Sequence, residues 1–405
     1  MQTSPIEVYS EIGTLKKVLI HKPGKELENL MPEYIDRLLF DDIPYLNIVR
    51  KEHDTFKEIL QQNGIETVYV TDLVTQSLQD KEVKEKFIKD YICEAGIYNK
   101  PQYEIIKGYF KSMSTKEMVD KMIEGIRKSE ICCKTQRKLI DYLDNCYPFL
   151  IDPIPNLYFT RDPFSCIGNS VSINAMSTNT RRRETLFAKY IFKYHPQYSN
   201  VPLVYTRKSE PSIEGGDILV LSPSVIAVGI SQRTTPKAIE RFSENILKSN
   251  MGFKKVIAID IPKTRSFMHL DTVFTMVDKD KFTIHPNIKN NLKVLVIELC
   301  DGKLSIDEEN LNLENVLKEH LHLDKVTLIK CGGGNIVDAS REQWNDGSNT
   351  FAIAPGKVVA YDRNYVTNKI MRENGIKVIT IPSSELSRGR GGPRCMTMPL
   401  LRQSG

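Results

Sequence analysis

A short apolar run at residues 15–21, Leu-Lys-Lys-Val-Leu-Ile-His, reads as a strand closed by Lys22-Pro23-Gly24. Helical spacing follows over 46–62 and stops at Asn63-Gly64, a pair suited to a helix C-terminus. Ile65 to Val70 predicts a second strand. From about residue 75 the rhythm changes. Apolar residues recur every three or four positions among many Lys and Glu, with Pro101 the one proline before Pro148. Ser114-x-x-Glu117 ahead of Met118-Val119 has the form of a capping box. About four helices are predicted here. Pro148, Pro153, Pro155 and Pro163 then close the stretch. The chain divides into 1–74, an inserted helical domain over 75–150, and a remainder over 151–405.

In the remainder a theme repeats: an acidic residue, a strand, a turn, a second strand, a helix and a third strand. Asp162 leads to the turn Gly168-Asn169, then Val171–Asn174 and a helix over 182–194. Glu214-Gly215-Gly216-Asp217 leads to Ile218–Leu221, the turn Ser222-Pro223-Ser224, Val225–Gly229, a helix over 236–248 and Val256–Asp260. A further copy starts at His269, with a turn at Asp278-Lys279-Asp280. The last starts at Gly332-Gly333-Gly334-Asn335 and runs through Asn349–Ala354, Pro355-Gly356, Val358–Tyr361, a helix over 367–374 and Val378–Ile381. Arg181 lies nineteen residues after Asp162, and Arg233 nineteen after Glu214. A period near fifty residues with strands in each unit predicts a propeller-like, pseudo-symmetric α/β array.

Composition narrows the class. The chain has 405 residues, 40% hydrophobic and 26% charged, as soluble globular proteins have. A net charge of +5 is small for this length and makes no case for nucleic acid. Eight cysteines stand at 93, 132, 133, 146, 166, 300, 331 and 395 with no CxxC pair, which predicts free thiols in a reducing compartment. All but Cys395 read as packing thiols. Met1–Glu7 lacks a basic region followed by an apolar stretch, so no secretory signal is expected. No uncharged apolar run nears the ~18 residues of a membrane helix, and a cytoplasmic protein is expected.

Cys395 stands behind a glycine-rich, arginine-studded segment, Arg388-Gly389-Arg390-Gly391-Gly392-Pro393-Arg394. Asp162, Glu214, Asp217, Asp271 and His269 sit at the edges of strand-like segments. His269 and Asp271, two apart, are expected on one strand face. A thiol in an acidic cup suits a guanidinium substrate. Carboxylates hold the N–H fork and fix its plane. A thiolate then approaches the carbon from the face, and one histidine serves as acid, then base. The acids are expected to raise the thiol pKa, which the cationic substrate reverses.

Asn156-Leu157-Tyr158-Phe159-Thr160-Arg161-Asp162, Glu214-Gly215-Gly216-Asp217, His269-Leu270-Asp271, Gly332-Gly333-Gly334-Asn335 and Gly392-Pro393-Arg394-Cys395-Met396-Thr397-Met398-Pro399 together resemble the arginine deiminase family over essentially the whole chain. The resemblance implies a five-bladed α/β propeller with an inserted helical domain. It implies conversion of L-arginine and water to L-citrulline and ammonia, without metal or organic cofactor. Cys395 would be the nucleophile, forming a thiouronium intermediate, and His269 the general acid and base. Asp162 and Asp271 would grip the guanidinium, and Glu214 would bind it and orient His269. Asn156, Arg181 and Arg233 would bind the substrate carboxylate. Arg390 would sit on a mobile loop and help set the thiol environment. Thr397 stands where the family more often has Ser, keeping the hydroxyl.

Other readings carry less. Relatives of the same superfamily acting on agmatine or methylated arginine would not need two arginines for a free carboxylate in this way, and an amidinotransferase would need an amine acceptor rather than water. A non-catalytic arginine- or RNA-binding relative sits poorly with an intact set of Cys395, His269 and acids. His320-Leu321-His322 has the form of a metal pair but reads as a solvated helix end. Gly332–Gly334 lacks the Gly-Lys-Ser/Thr ending of a phosphate loop, and no long helix is expected to follow at once. The exposed sheet edges and helical insertion are compatible with a homodimer or tetramer.

Overall fold

The computed structural model describes residues 4–131, 147–209, 211–264, 266–288 and 292–403. Five units share one plan: two antiparallel strands, joined by a turn in all but the first unit, then a helix, and a third strand parallel to the second. The first unit is closed by the end of the chain. Met398–Gln403 pairs antiparallel with Thr14–Ile20, helix Leu46–Gln62 follows, and Glu66–Tyr69 returns parallel. In the second, Phe164–Ile167 and Ser170–Ile173 lead through Glu184–Tyr194 to Leu203–Tyr205. In the third, Ile218–Ser222 and Val225–Ile230 lead through Pro236–Leu247 to Lys255–Asp260. In the fourth, Phe274–Asp278 and Lys281–Ile284 lead through Leu313–His320 to Thr327–Lys330. In the fifth, Phe351–Ala354 and Lys357–Tyr361 lead through Tyr365–Glu373 to Lys377–Ile381. The hairpin Lys293–Cys300 and Lys303–Glu309 interrupts the fourth unit and extends the third unit's sheet to five strands.

The sequence dictates these elements locally. Val225–Ile230 is buried throughout because the sheet is covered on both faces. In Pro236–Leu247, Pro236 opens the helix and Thr235 caps it. Ala238, Ile239, Phe242 and Ile246, spaced by three and four, face the core.

Val70–Ser77, Lys81–Glu94, Lys100–Lys111 and Thr115–Glu124 form consecutive helices. Asp80, Asn99 and Ser114 cap the last three, and the Ser114–Glu117 box is formed. Phe87, Tyr91, Ile92, Phe110 and Met122 share one apolar cluster with Glu184–Tyr194 and the second unit's strands. The helical expectation does not hold to the end of the stretch: Ile126–Arg127 pairs antiparallel with Phe149–Ile151, and residues 132–146, with Cys132, Cys133 and Cys146, lie outside the described residues.

Some local expectations differ from the structure. A helix, Ile336–Trp344, does follow Gly332–Gly334 at once, started by Asn335, whose side chain accepts from Val337 and Asp338 N–H. His320 is buried rather than solvated, 3.0 Å from Glu309 Oε1. Cys300 is exposed, not a packing thiol. No helix among the described residues is long and apolar enough to cross a membrane.

Candidate active site

Each unit sends a polar side chain or thiol from just ahead of its first strand into one cluster. Asp162 precedes Phe164–Ile167, Glu214 precedes Ile218–Ser222, and His269 and Asp271 precede Phe274–Asp278. Asn349 precedes Phe351–Ala354, and Cys395 precedes Met398–Gln403. All are buried. Cys395 Sγ lies 3.7 Å from Asp271 Oδ2, and its backbone N–H donates to Asn349 Oδ1 at 3.1 Å. Asn349 Nδ2 in turn donates to the Asp271 carbonyl. His269 Nε2 is 2.8 Å from Glu214 Oε2, and its Nδ1 is 3.8 Å from Asp162 Oδ1. Glu214 Oε1 accepts from the N–H and Oγ of Ser177.

His269 and Asp271 do not share a strand face. Leu270–Val273 forms one helical turn and the strand starts at Phe274, so the two side chains part. His269 turns to Glu214, and Asp271 to Cys395 and Arg394. Asp217 does not face the cluster as the other acids do. It accepts from Leu270 N–H and Ser231 Oγ, fixing the turn that carries His269.

The glycines here are set by space. A Cβ on Gly216 would lie 2.6 Å from His269 Cγ, and one on Gly392 2.6 Å from the Asn349 carbonyl. One on Gly391 would enter the Phe159 ring. None of these has a left-handed backbone. The Thr397 hydroxyl donates to the carbonyls of Pro393 and Arg394, tying down the turn around Cys395. At the root of the Arg388–Arg390 arm, Glu52 accepts from Ser384 Oγ and from the N–H groups of Glu385 and Leu386.

Of the arginines singled out from sequence, Arg181 is the most committed. Its Nη1 donates to Asp162 Oδ2 at 2.6 Å, its Nε and Nη2 donate to Glu184, and Nη2 also meets the Asn156 carbonyl. Arg233 is half-buried, with Ser177 Oγ at 3.4 Å. Asn156 Nδ2 donates to the Leu38 carbonyl. Arg390 is buried, stacked 3.6 Å over the Trp344 ring, with Asp41 at 3.5 Å. Asn335, by contrast, is exposed as a helix cap away from the cluster.

Sequence reading missed four contributors. Arg394 donates to Asp271 at 2.7 Å and to Glu11 at 3.0 Å. Glu184 holds Arg181. Asn349 occupies the position ahead of its strand that Asp162 and Cys395 occupy in theirs, and that offset was the signal. Asp346 is buried with Oδ2 lacking any donor, in a left-handed backbone with φ 57°.

Burial, and then Asp271, Asp162 and Asp346, push the Cys395 thiol well above its ordinary value, against the pull of Arg394. Burial outweighs the acids named from sequence. Burial opposes the charged form of His269, but Asp162, Glu214 and Asp217 overcome it and hold the imidazolium up to about 9. Glu214 shows the converse. Burial works against its charge, and the hydrogen bond and charge of His269 bring it down to about 2. Burial raises Asp346 to about 7 despite Arg390. Among the described residues no group of three or more His, Cys, Asp or Glu is placed to hold a metal.

Besides Asp346 Oδ2, two acceptors in this cluster have no hydrogen-bond donor: Asp162 Oδ1 and Asp271 Oδ1, both buried. Such oxygens are costly unless a donor fills them. The cluster therefore has the form of a receptor for a planar cation, with a thiol and an imidazolium beside it.

A sequence model of the family described as Arginine deiminase matches residues 36–402. A protein of Streptococcus sanguinis (strain SK36) named arginine deiminase is 55% identical over 407 residues, covering 100% of both chains. One of Streptococcus gordonii with the same name is also 55% identical over 100% of both chains. Among solved structures, the amidinotransferase SxtG from Microseira wollei aligns with a TM-score of 0.59 at 13% identity, covering 99% of this chain and 98% of its own. A DDAH from Pseudomonas aeruginosa complexed with citrulline aligns with a TM-score of 0.52 at 13% identity, covering 95% and 99%. These two share the fold.

Proposed function

The chain belongs to the arginine deiminase family, its reaction is the hydrolysis of L-arginine to L-citrulline and ammonia, and we propose that the cluster around Cys395 carries that reaction as follows. The buried, donorless oxygens of Asp162 and Asp271 are the observation that supports this reading best. Each receives N–H groups of the substrate guanidinium and holds its plane beside Cys395. The cation favours the thiolate, and the thiol proton leaves to solvent. Sγ attacks the guanidinium carbon. His269, charged at neutral pH, protonates one nitrogen, the C–N bond breaks and ammonia departs, leaving a thiouronium on Cys395. Neutral His269 then takes a proton from water as the oxygen adds. The C–S bond breaks, citrulline leaves, and the hydroxyl proton of the collapsing adduct ends on ammonia. Glu214 holds His269 in both steps.

Arg233, with few contacts of its own, offers donors to the substrate carboxylate beside Asn156. Arg181 joins them through the one Nη1 hydrogen its partners leave uncommitted, and otherwise fixes Asp162. Arg390 keeps its place on the arm leading to Cys395.

The same reading takes the five units as blades of a propeller, with the helices of 75–150 as an insertion. Their shared strand order supports it. A cytoplasmic homodimer or tetramer belongs to it as well, supported by exposed Ile336, Val337 and Tyr365.

The test is citrulline release from L-arginine, agmatine and asymmetric dimethylarginine by wild type and Cys395→Ala. Arginine alone is expected to turn over, with a loss on the order of a million-fold in the variant. Preference for agmatine would overturn the roles of Arg181 and Arg233. Residual turnover in the variant would overturn the covalent step.

A further inference from the structure

Beside the Arg388–Arg390 arm lies a cleft of about 730 Å³ that the reaction does not use. Arg341, Arg363, Arg388 and Arg390 all line it. Arg388 is spent on Asp42 and Glu385. Arg390 has Asp41 at 3.5 Å, yet its Nε is buried with no acceptor, in a residue 7% exposed. Arg341 makes no ion pair among the described residues, and Arg363 donates only to Ser387 Oγ. Among the described residues Arg341 and Arg363 thus have no carboxylate partner of their own in a concave site that Asp41 and Asp42 also line, and Ser340 adds a hydroxyl at its wall.

The repeat gives this a second footing. Arg363 lies two residues past Lys357–Tyr361, as Arg233 lies three past Val225–Ile230. The end of the second strand carries a cation in both units. A tetrahedral oxyanion offers acceptors in more directions than a planar carboxylate, and so suits two guanidiniums that approach from different elements.

We propose that this cleft binds a phosphate-class dianion, which bridges Arg341 and Arg363 and holds the arm that leads to Cys395. The site carries its own reporter. Trp344, the single tryptophan of the chain, lines the cleft under the Arg390 guanidinium.

Trp344 emission is titrated with inorganic phosphate at constant ionic strength, with acetate as the carboxylate control, and unfolding temperature is followed alongside. The expected result is a saturable emission change and a higher midpoint with phosphate, and neither with acetate. Arg341→Gln, which removes a side chain without a described partner, is expected to weaken half-saturation about tenfold. Arg341→Gln with Arg363→Gln is expected to abolish it, with citrulline production retained. A change that follows ionic strength, that acetate reproduces, or that survives unaltered in Arg341→Gln overturns the proposal.

Discussion

The helices from Val70 to Glu124 bury Phe87, Tyr91, Ile92, Phe110 and Met122 against apolar neighbours, whereas the cluster around Cys395 buries Asp162, Glu184, Glu214, His269, Asp271 and Arg394. In the helices every described buried side-chain polar atom has a partner. Around Cys395, Asp162 Oδ1, Asp271 Oδ1 and Asp346 Oδ2 have none. The first region lowers the free energy of the fold, whereas the donorless oxygens of the second work against it. A cluster that must receive a cation cannot complete its own hydrogen bonds, so its stability has to come from elsewhere.

The largest test of this division is Phe87→Ala. Phe87 is fully buried against Phe187 and Tyr190, with ring centroids at 5.8 and 4.7 Å. The expected loss is about 3–5 kcal/mol in denaturant unfolding. Turnover per folded molecule is expected to stay unchanged. A parallel fall in turnover would show that the two regions are coupled after all.

Gly216→Ala sharpens the same contrast from the other side. The new methyl meets His269, so the ring must move. A displacement near 1 Å is expected to cost about a hundredfold in kcat, with little change in unfolding. Its counterpart is Gly96→Ala after helix Lys81–Glu94, where φ is 81° and no atom lies within 4 Å. There the expected cost is roughly 1–2 kcal/mol of stability and no activity. Equal activity in the two variants would break the comparison.

These glycines also show what the sequence could reveal. The strand–turn–strand–helix–strand plan was readable, because apolar runs and turn residues recur with a fixed period. The capping box at Ser114 was readable because its chemistry is local. Asp162, Glu214, His269 and Asp271 were readable as candidates from their places at the edges of strand-like segments, and Cys395 from its glycine- and arginine-rich flank. Their pairings were not. Arg394 reaches Glu11 across nearly the whole chain, and Arg181 meets Glu184 across the break between two helices where a single helix was expected from residue 182. The Lys293–Glu309 hairpin was also missed, since it joins a sheet belonging to another unit. Long-range contacts of this kind leave no local period.

The smallest effect concerns pH, and within the cluster the two partners His269 and Glu214 separate by sign. His269 is held at about 9 against an ordinary 6.5, so its contribution to folding is complete below about pH 6.5 and disappears as pH rises through about 9. Glu214, its partner, is held at about 2 against 4.5, so its contribution is complete above about pH 4.5 and disappears as pH falls through about 2. The pair therefore stabilises most between those ordinary values. The reaction needs the imidazolium first, so kcat/KM is expected to fall about tenfold per pH unit above roughly 9. That limb belongs to the coupled set of His269, Glu214, Asp162 and Cys395, not to one group. In Glu214→Gln the carboxylate that raises the imidazolium is gone, and the limb is expected to move to lower pH. In Phe87→Ala it is expected to stay where it is. A limb unmoved in Glu214→Gln would remove His269 as the titrating acid. A limb that moved in Phe87→Ala would mean that the apolar helices set the electrostatics of the cluster, and that stability and chemistry are not divided between the two regions.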